Sequence, residues 1–131
     1  MPAALTLPNL PARAPLVLVV DDDAQMRAYI RRSLIALPVR VEEATDGLDA
    51  LAHICGDGAG AGPVVLVVTD VVMPRLDGWA LKAALHADAR WADLPVLLIT
   101  GETIRARDGP VLRKPFNARS LRAAVQALLA S

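Results

Sequence analysis

The chain repeats one pattern that restricts its fold: a short, continuous apolar run followed by a segment with helical spacing of apolar residues. The clearest runs are LVLVV at 16–20, VVLVV at 64–68 and PVLLI at 95–99. Strands that are apolar throughout, rather than alternating, are typical of a parallel sheet covered on both faces. We therefore predict an α/β fold, with helices on both faces of a parallel sheet and right-handed crossovers.

The segments between these runs complete the alternation. Shorter strands are predicted at 39–44 and 110–113, and helices at 24–36, 47–54, 78–86 and 118–130, with Asp46, Asp77 and Asn117 as helix caps. Five strands in such a chain suit the doubly wound, flavodoxin-like order 2-1-3-4-5. In that order, ligands bind where the carboxyl ends of strands 1 and 3 meet.

Composition limits the classes of function. At 131 residues the chain suits one domain, which we place at 15–131 after a flexible, proline-rich lead-in at 1–14. Fourteen basic residues balance fourteen acidic ones, so no nucleic-acid partner is indicated. The apolar runs are too short to span a membrane, and the N-terminus lacks signal-peptide features, so we predict a cytoplasmic protein. Cys55 is the single cysteine and is predicted to be a small buried residue.

Polar side chains follow four of the predicted strands. Asp21 and Asp22 end the first, Asp70 the third, Thr100 the fourth and Lys114 the fifth. Carboxyl ends of parallel strands share one edge of the sheet, so we expect these side chains to converge. Carboxylates are ligands that Mg²⁺ prefers, and a lysine and a hydroxyl suit phosphoryl oxygens. An aspartate beside a metal can be a nucleophile toward phosphorus. The residues thus favour a phosphorylatable aspartate.

The same residues lie in four motifs, in this order along the chain: VVDDD, VTDVVMPRLDGWAL, PVLLITGE and KPF. Together they resemble the response-regulator receiver domain of two-component signalling, over residues 15–131. The resemblance implies that Asp70 is the phosphoacceptor. It also implies a magnesium site formed together with Asp70. In that site Asp22 binds the ion directly, Asp21 binds it through water, and the backbone carbonyl of Val72 completes the protein ligands. Asp23 is interpreted only as an exposed residue at a helix start.

Two further residues receive roles from the resemblance. Thr100 is expected to hydrogen-bond the phosphoryl group, and Lys114 to form an ion pair with it. The peptide bond between Lys114 and Pro115 is expected to be cis, as in the family.

The function implied is a phosphoacceptor receiver that takes its phosphoryl group from a phosphohistidine of a histidine kinase or histidine phosphotransfer protein. Such a domain is no enzyme beyond its own phosphorylation and dephosphorylation. We expect a monomer without a DNA-binding output domain, either a stand-alone receiver or the receiver of a hybrid histidine kinase. The partner is predicted to dock on exposed positions of the first helix, such as Gln25 and Arg27, and on the loop after Lys114.

Two other classes of function could use some of these residues. A Mg²⁺-dependent phosphohydrolase with an aspartyl nucleophile would need a second acid soon after Asp70, where Val71 and Val72 stand. A receiver that acts by binding alone would not need the complete set of acidic, hydroxyl and lysine residues.

The sequence departs from the family between the fourth and fifth strands. Only residues 101–110 are available there, which span roughly 33 Å when extended, and a parallel crossover normally takes a dozen residues or more. We therefore predict a loop in place of the fourth helix, which is missing or reduced. Val111 also stands where receivers usually carry an aromatic residue. Leu98, Ile104 and Val111 are predicted to be partly exposed or covered by the loop.

Overall fold

The computed structural model describes residues 14–55, 63–101 and 109–130. In these residues five strands and four helices follow one another as β1 Leu16–Val20, α1 Ala24–Leu34, β2 Arg40–Ala44, α2 Gly47–Cys55, β3 Val64–Asp70, α3 Gly78–His86, β4 Val96–Thr100, β5 Val111–Arg113 and α4 Ala118–Leu129. The strands form one parallel sheet in the order β2-β1-β3-β4-β5. The predicted fold class and strand order are confirmed.

The central strands are covered on both faces, which explains their continuous apolar sequence. All five residues of β1 and all five of β4 are buried. Since successive side chains of a strand point to opposite faces, Leu18 packs in one core layer with residues of α2 and α3, and Val19 packs in a second layer with residues of α1 and α4. Two apolar layers therefore enclose the sheet.

Polar caps begin the helices close to the carboxyl edge of the sheet. The Asp23 carboxylate accepts a hydrogen bond from the Gln25 N–H at 2.9 Å, which confirms its interpretation as a helix-start residue. The predicted caps Asp46, Asp77 and Asn117 likewise each accept a backbone N–H in the first turn of their helix. The connection from α3 to β4 then runs at the opposite edge of the sheet.

The side chain of Cys55 is exposed, so the prediction of a buried cysteine is wrong. The buried residues of α2 are Gly47, Ala50 and Ile54, which share one face of the helix. Cys55 follows Ile54 directly and is therefore rotated by about 100° from that face.

At the edge beside β5, the predicted partial exposure is confirmed for Val111 but not for Leu98. Leu98 is fully buried, and Val111 is partly buried against the same core layer. Ile104 and the rest of the predicted loop at 102–108 lie outside the described residues.

Ala14 is buried, and its carbonyl oxygen accepts a hydrogen bond from Nε of Arg40 at 3.0 Å. The other residues of the predicted lead-in at 1–14, residues 1–13, lie outside the described residues. Of the helices described, none has the length and apolar character needed to cross a membrane.

Candidate functional site

The ends of β1 and β3 bring three carboxylates together. Val20 is paired with Thr69 in the sheet, so the acids that follow β1 lie beside the end of β3. Carboxylate oxygens of Asp21, Asp22 and Asp70 all lie within 4.8 Å of one another. Hard oxygen donors in this arrangement suit Mg²⁺, which prefers carboxylates and retains several waters. The cluster therefore fits the metal that the sequence predicts.

Asp21 is the most buried of the three acids, with 3% of its surface exposed. Burial raises the pKa of its carboxyl group to about 6, although the hydrogen bond from the Asp23 N–H, at 2.8 Å, opposes the rise. The nearby charge of Asp70 raises the pKa of Asp21 further. A cation bound between these carboxylates would relieve both effects, because it favours the ionised form.

Lys114 supplies a positive charge at the edge of the cluster. Its Nζ lies 3.1 Å from Oδ1 of Asp70, and 12% of the Asp70 side chain is exposed. The backbone N–H of Lys114 donates to the carbonyl oxygen of Thr100 at 2.8 Å, which extends the pairing of β4 and β5. The Lys114–Pro115 peptide bond is cis, as the resemblance predicted. Asp70 therefore contacts acids on one side and a cation on the other.

Thr100 and Val72 lie near the same carboxylates. Thr100 is the buried last residue of β4, and its neighbour Ile99 is paired with Asp70. Val72 follows Asp70 by two residues, and 70% of its side chain is exposed. The structure thus brings every predicted site residue to one edge of the sheet.

The prediction that Arg27 is an exposed position of the first helix is wrong. Only 15% of its side chain is exposed. Its Nη1 donates to the carbonyl oxygen of Asp21 at 2.6 Å, and its Nε donates to the Glu43 carboxylate at 2.9 Å. Arg31 also binds Glu43, and the two arginines hold the pKa of Glu43 below its usual range. Arg27 therefore supports the backbone of the site. The feature of the sequence that could have indicated this role is the position of Arg27, one helical turn after the Asp23 cap.

The structure also shows a contact between Arg75 and Asp46 that the sequence does not predict. Arg75, in the loop after β3, makes two hydrogen bonds to the Asp46 carboxylate, at 2.7 and 2.9 Å. Hydrogen bonds from Arg75 hold the pKa of Asp46 below its usual range. No local pattern in the sequence indicates this pair.

Comparison with known proteins gives a consistent result. Residues 17–126 match the family model described as response regulator receiver domain. Over 121 residues the chain is 39% identical to the response regulator MprA of Mycobacterium ulcerans, an alignment that covers 86% of this chain and 49% of that protein. The chain thus spans about half the length of the curated relatives it matches.

Solved structures agree with the sequence match. The chemotaxis response regulator CheY4 of Vibrio cholerae superimposes with a TM-score of 0.75 at 28% identity, covering 88% of this chain and 98% of that one. The signal receiver domain of a signal transduction histidine kinase from Syntrophus aciditrophicus gives a TM-score of 0.77 at 25% identity, covering 89% and 91%. Both the strand order and the family match lead to one conclusion: the chain belongs to the response regulator receiver domains of two-component signalling.

Proposed function

We propose that this domain accepts a phosphoryl group on Asp70 from the phosphohistidine of a histidine kinase or histidine phosphotransfer protein. The main support is the position of the Asp70 carboxylate, within 4.8 Å of two other acids and 3.1 Å from the Lys114 ammonium group. This arrangement combines a nucleophile with a site for a metal and a cation for the incoming phosphoryl oxygens.

Three residues would hold Mg²⁺ together with Asp70: Asp22 directly, Asp21 through water, and Val72 through its backbone carbonyl. When bound, the ion neutralises the carboxylates and favours approach of an anionic phosphoryl group. Asp21 contributes by holding a buried negative charge close to Asp70. The hydrogen bond from Arg27 to the Asp21 carbonyl holds this backbone in place.

In the transfer step, an oxygen of the Asp70 carboxylate forms a bond to phosphorus while the phosphorus–nitrogen bond of the donor breaks. The electron pair of that bond stays on the imidazole nitrogen. Lys114 pairs with a phosphoryl oxygen, and the Thr100 hydroxyl donates a hydrogen bond to another. Water later attacks the phosphorus, the bond between the Asp70 oxygen and phosphorus breaks, and inorganic phosphate leaves as the carboxylate is restored. The domain therefore acts on its own phosphoryl group and on no separate substrate.

Intact-mass measurement after incubation with acetyl phosphate and Mg²⁺ tests this function. We expect the mass to increase by one phosphoryl group, and we expect no increase after chelation of the metal or in Asp70→Asn. Asp88→Asn, at the opposite edge of the sheet, is the matched control and should react like wild type.

Each alternative gives a different result. Hydrolysis of acetyl phosphate without an adduct would favour a phosphohydrolase, and no reaction would favour a domain that acts by binding alone. Normal labelling of Asp70→Asn would mean that another residue is the nucleophile.

A further inference from the structure

The loop after β3, residues 71–77, is fastened at its tip to the start of α2; we call it the acceptor loop. Arg75 binds both carboxylate oxygens of Asp46, the residue that caps α2. The next residue of the loop, Leu76, accepts a hydrogen bond from the Gly47 N–H at 3.1 Å. A side chain at Gly47 would overlap Leu76, so the two segments touch directly.

The two ends of the acceptor loop are also fixed. At one end the Val71 N–H donates to Ile99 of β4 at 3.2 Å, and the Val71 carbonyl accepts from the Gly78 N–H at 2.8 Å. At the other end Gly78 packs so closely that a Cβ there would lie 2.5 Å from the carbonyl oxygen of Asp70. Val72 lies between the fixed end and the fastened tip.

Arg75 has a backbone conformation that side chains rarely adopt. Its φ is +68°, in the left-handed region that favours glycine. Backbone strain of this kind persists when surrounding contacts hold it. The contact here is the bidentate pair with Asp46, whose side chain is only 8% exposed although that of Arg75 is 57% exposed. Arg75 therefore combines an unfavourable backbone conformation with a specific partner.

We propose that Asp46 and Arg75 are positioning residues for the metal site. Their pair holds the acceptor loop in the conformation that presents the Val72 backbone to Mg²⁺, and it links metal binding to the first turn of α2. This inference rests on the proposed function, because it takes Val72 as a metal ligand.

The physical basis is preorganisation. A backbone oxygen on a loop that is already ordered binds a cation without the entropic cost of ordering that loop. If the tip is released, the loop between Val71 and Gly78 gains conformations that metal binding must remove. By linkage, Mg²⁺ should in turn stabilise the Asp46–Arg75 pair.

The test compares two substitutions of the same type. Asp46→Asn keeps an oxygen for the helix cap but loses the negative charge and the second acceptor oxygen for Arg75. Asp88→Asn makes the same change in a pair with Arg90, where the aspartate also accepts a backbone N–H, at the opposite edge of the sheet. The Mg²⁺ dissociation constant of each variant is measured by titration of the backbone NMR signals of residues 21–23.

We expect Mg²⁺ to bind Asp46→Asn roughly three- to tenfold more weakly than wild type, the size typical of coupling through a supporting contact. Asp88→Asn should bind like wild type. The Nε–H signal of Arg75 should also shift on addition of Mg²⁺ in the wild-type protein. A purely structural role would change the unfolding midpoint but not these two binding observables.

Arg75→Gly provides a second variant that should remain folded, because glycine relieves the left-handed backbone while removing the side chain. If the two residues act as a pair, Asp46→Asn, Arg75→Gly and the double variant should all weaken Mg²⁺ binding by the same factor. The inference would be wrong if Asp46→Asn and Arg75→Gly both bound Mg²⁺ as tightly as wild type. It would also be wrong if Asp88→Asn lost as much Mg²⁺ affinity as Asp46→Asn. Neither result would contradict the proposed function. Failure of the wild-type protein to bind Mg²⁺ would overturn both.

Discussion

Lys114 and Asp70 are 44 residues apart in the sequence, yet Nζ of the lysine lies 3.1 Å from Oδ1 of the aspartate. The contact arises because β3 and β5 both end at the carboxyl edge, separated only by β4. The lysine therefore already occupies the position that the proposed phosphoryl transfer requires.

Replacing this lysine should separate metal binding from phosphorylation. We expect Lys114→Met to slow labelling by acetyl phosphate by roughly 10- to 100-fold, because the phosphoryl oxygens lose a charged partner. Mg²⁺ should bind at least as tightly as in wild type, since a competing positive charge has been removed. The rate is measured by intact mass with time, and Arg113→Met serves as the control at the exposed neighbouring position. Equal slowing in both variants would argue against a specific role for Lys114.

The buried acid Asp21 should make the metal-free protein sensitive to pH. Because burial raises the pKa of Asp21 in the folded protein to about 6 from its ordinary value of 3.8, the protonated form favours folding. This contribution to stability is lost as pH rises from about 4 through about 6. Asp21→Asn keeps the oxygen that accepts the Asp23 N–H. We expect it to be more stable than wild type at pH 7 by roughly 1–2 kcal/mol, after allowance for solvent screening.

Urea unfolding at pH 4 and pH 7 checks this expectation. At pH 4 the two proteins should have similar stability, and saturating Mg²⁺ at pH 7 should stabilise the wild type more than the variant. A stability difference that is the same at both pH values would show that Asp21 is not the group responsible.

Arg27 should contribute more to the stability of the folded domain than Arg31 does. We expect Arg27→Met to lower the free energy of unfolding by about 1–2 kcal/mol, because the carbonyl of Asp21 and the carboxylate of Glu43 lose a charged donor. Arg31→Met should cost about 0.5 kcal/mol or less, since its side chain is 46% exposed. Urea unfolding of the two variants measures both losses. A larger loss of stability in Arg31→Met than in Arg27→Met would contradict the inference that Arg27 supports the backbone of the site.

Partner docking should involve Gln25, which is exposed in the first turn of α1. We expect Gln25→Glu to slow transfer from a phosphorylated histidine kinase while leaving labelling by acetyl phosphate unchanged, because only the protein donor touches the helix. Ala36→Glu, at an exposed position beyond the other end of α1, is the control. Equal loss with both phosphodonors would mean that Gln25 supports the site itself.

The convergence of the site was predictable because topology alone dictates it. Asp21 and Asp70 follow adjacent parallel strands, so the alternation of strands and helices was enough to place them at one edge. The continuous apolar runs of β1 and β4 were recognised for a similar reason, since burial on both faces leaves a clear trace in the sequence.

Contacts that depend on side-chain direction were not predictable. Arg75 meets Asp46 across 29 residues from a loop position whose backbone is left-handed, a conformation that an arginine in the sequence does not predict. The spacing of apolar residues in α1 does not determine whether Arg27 lies on the buried side of the helix. Cys55 lies one position after Ile54, the last residue on the buried face of α2. In each case a rotation of about 100° or a single loop conformation decides the outcome.

Changes in sequence or chain length should have different effects at the two edges of the sheet. The acids, the lysine and the acceptor loop all lie at the carboxyl edge, whereas the connection from α3 to β4 lies at the other, about 15–17 Å away along a five-residue strand. A change of chain length at that far edge should therefore disturb the geometry around Asp70 less than a change in the acceptor loop. A module attached near that far edge would leave the carboxylate cluster and Lys114 accessible at the other.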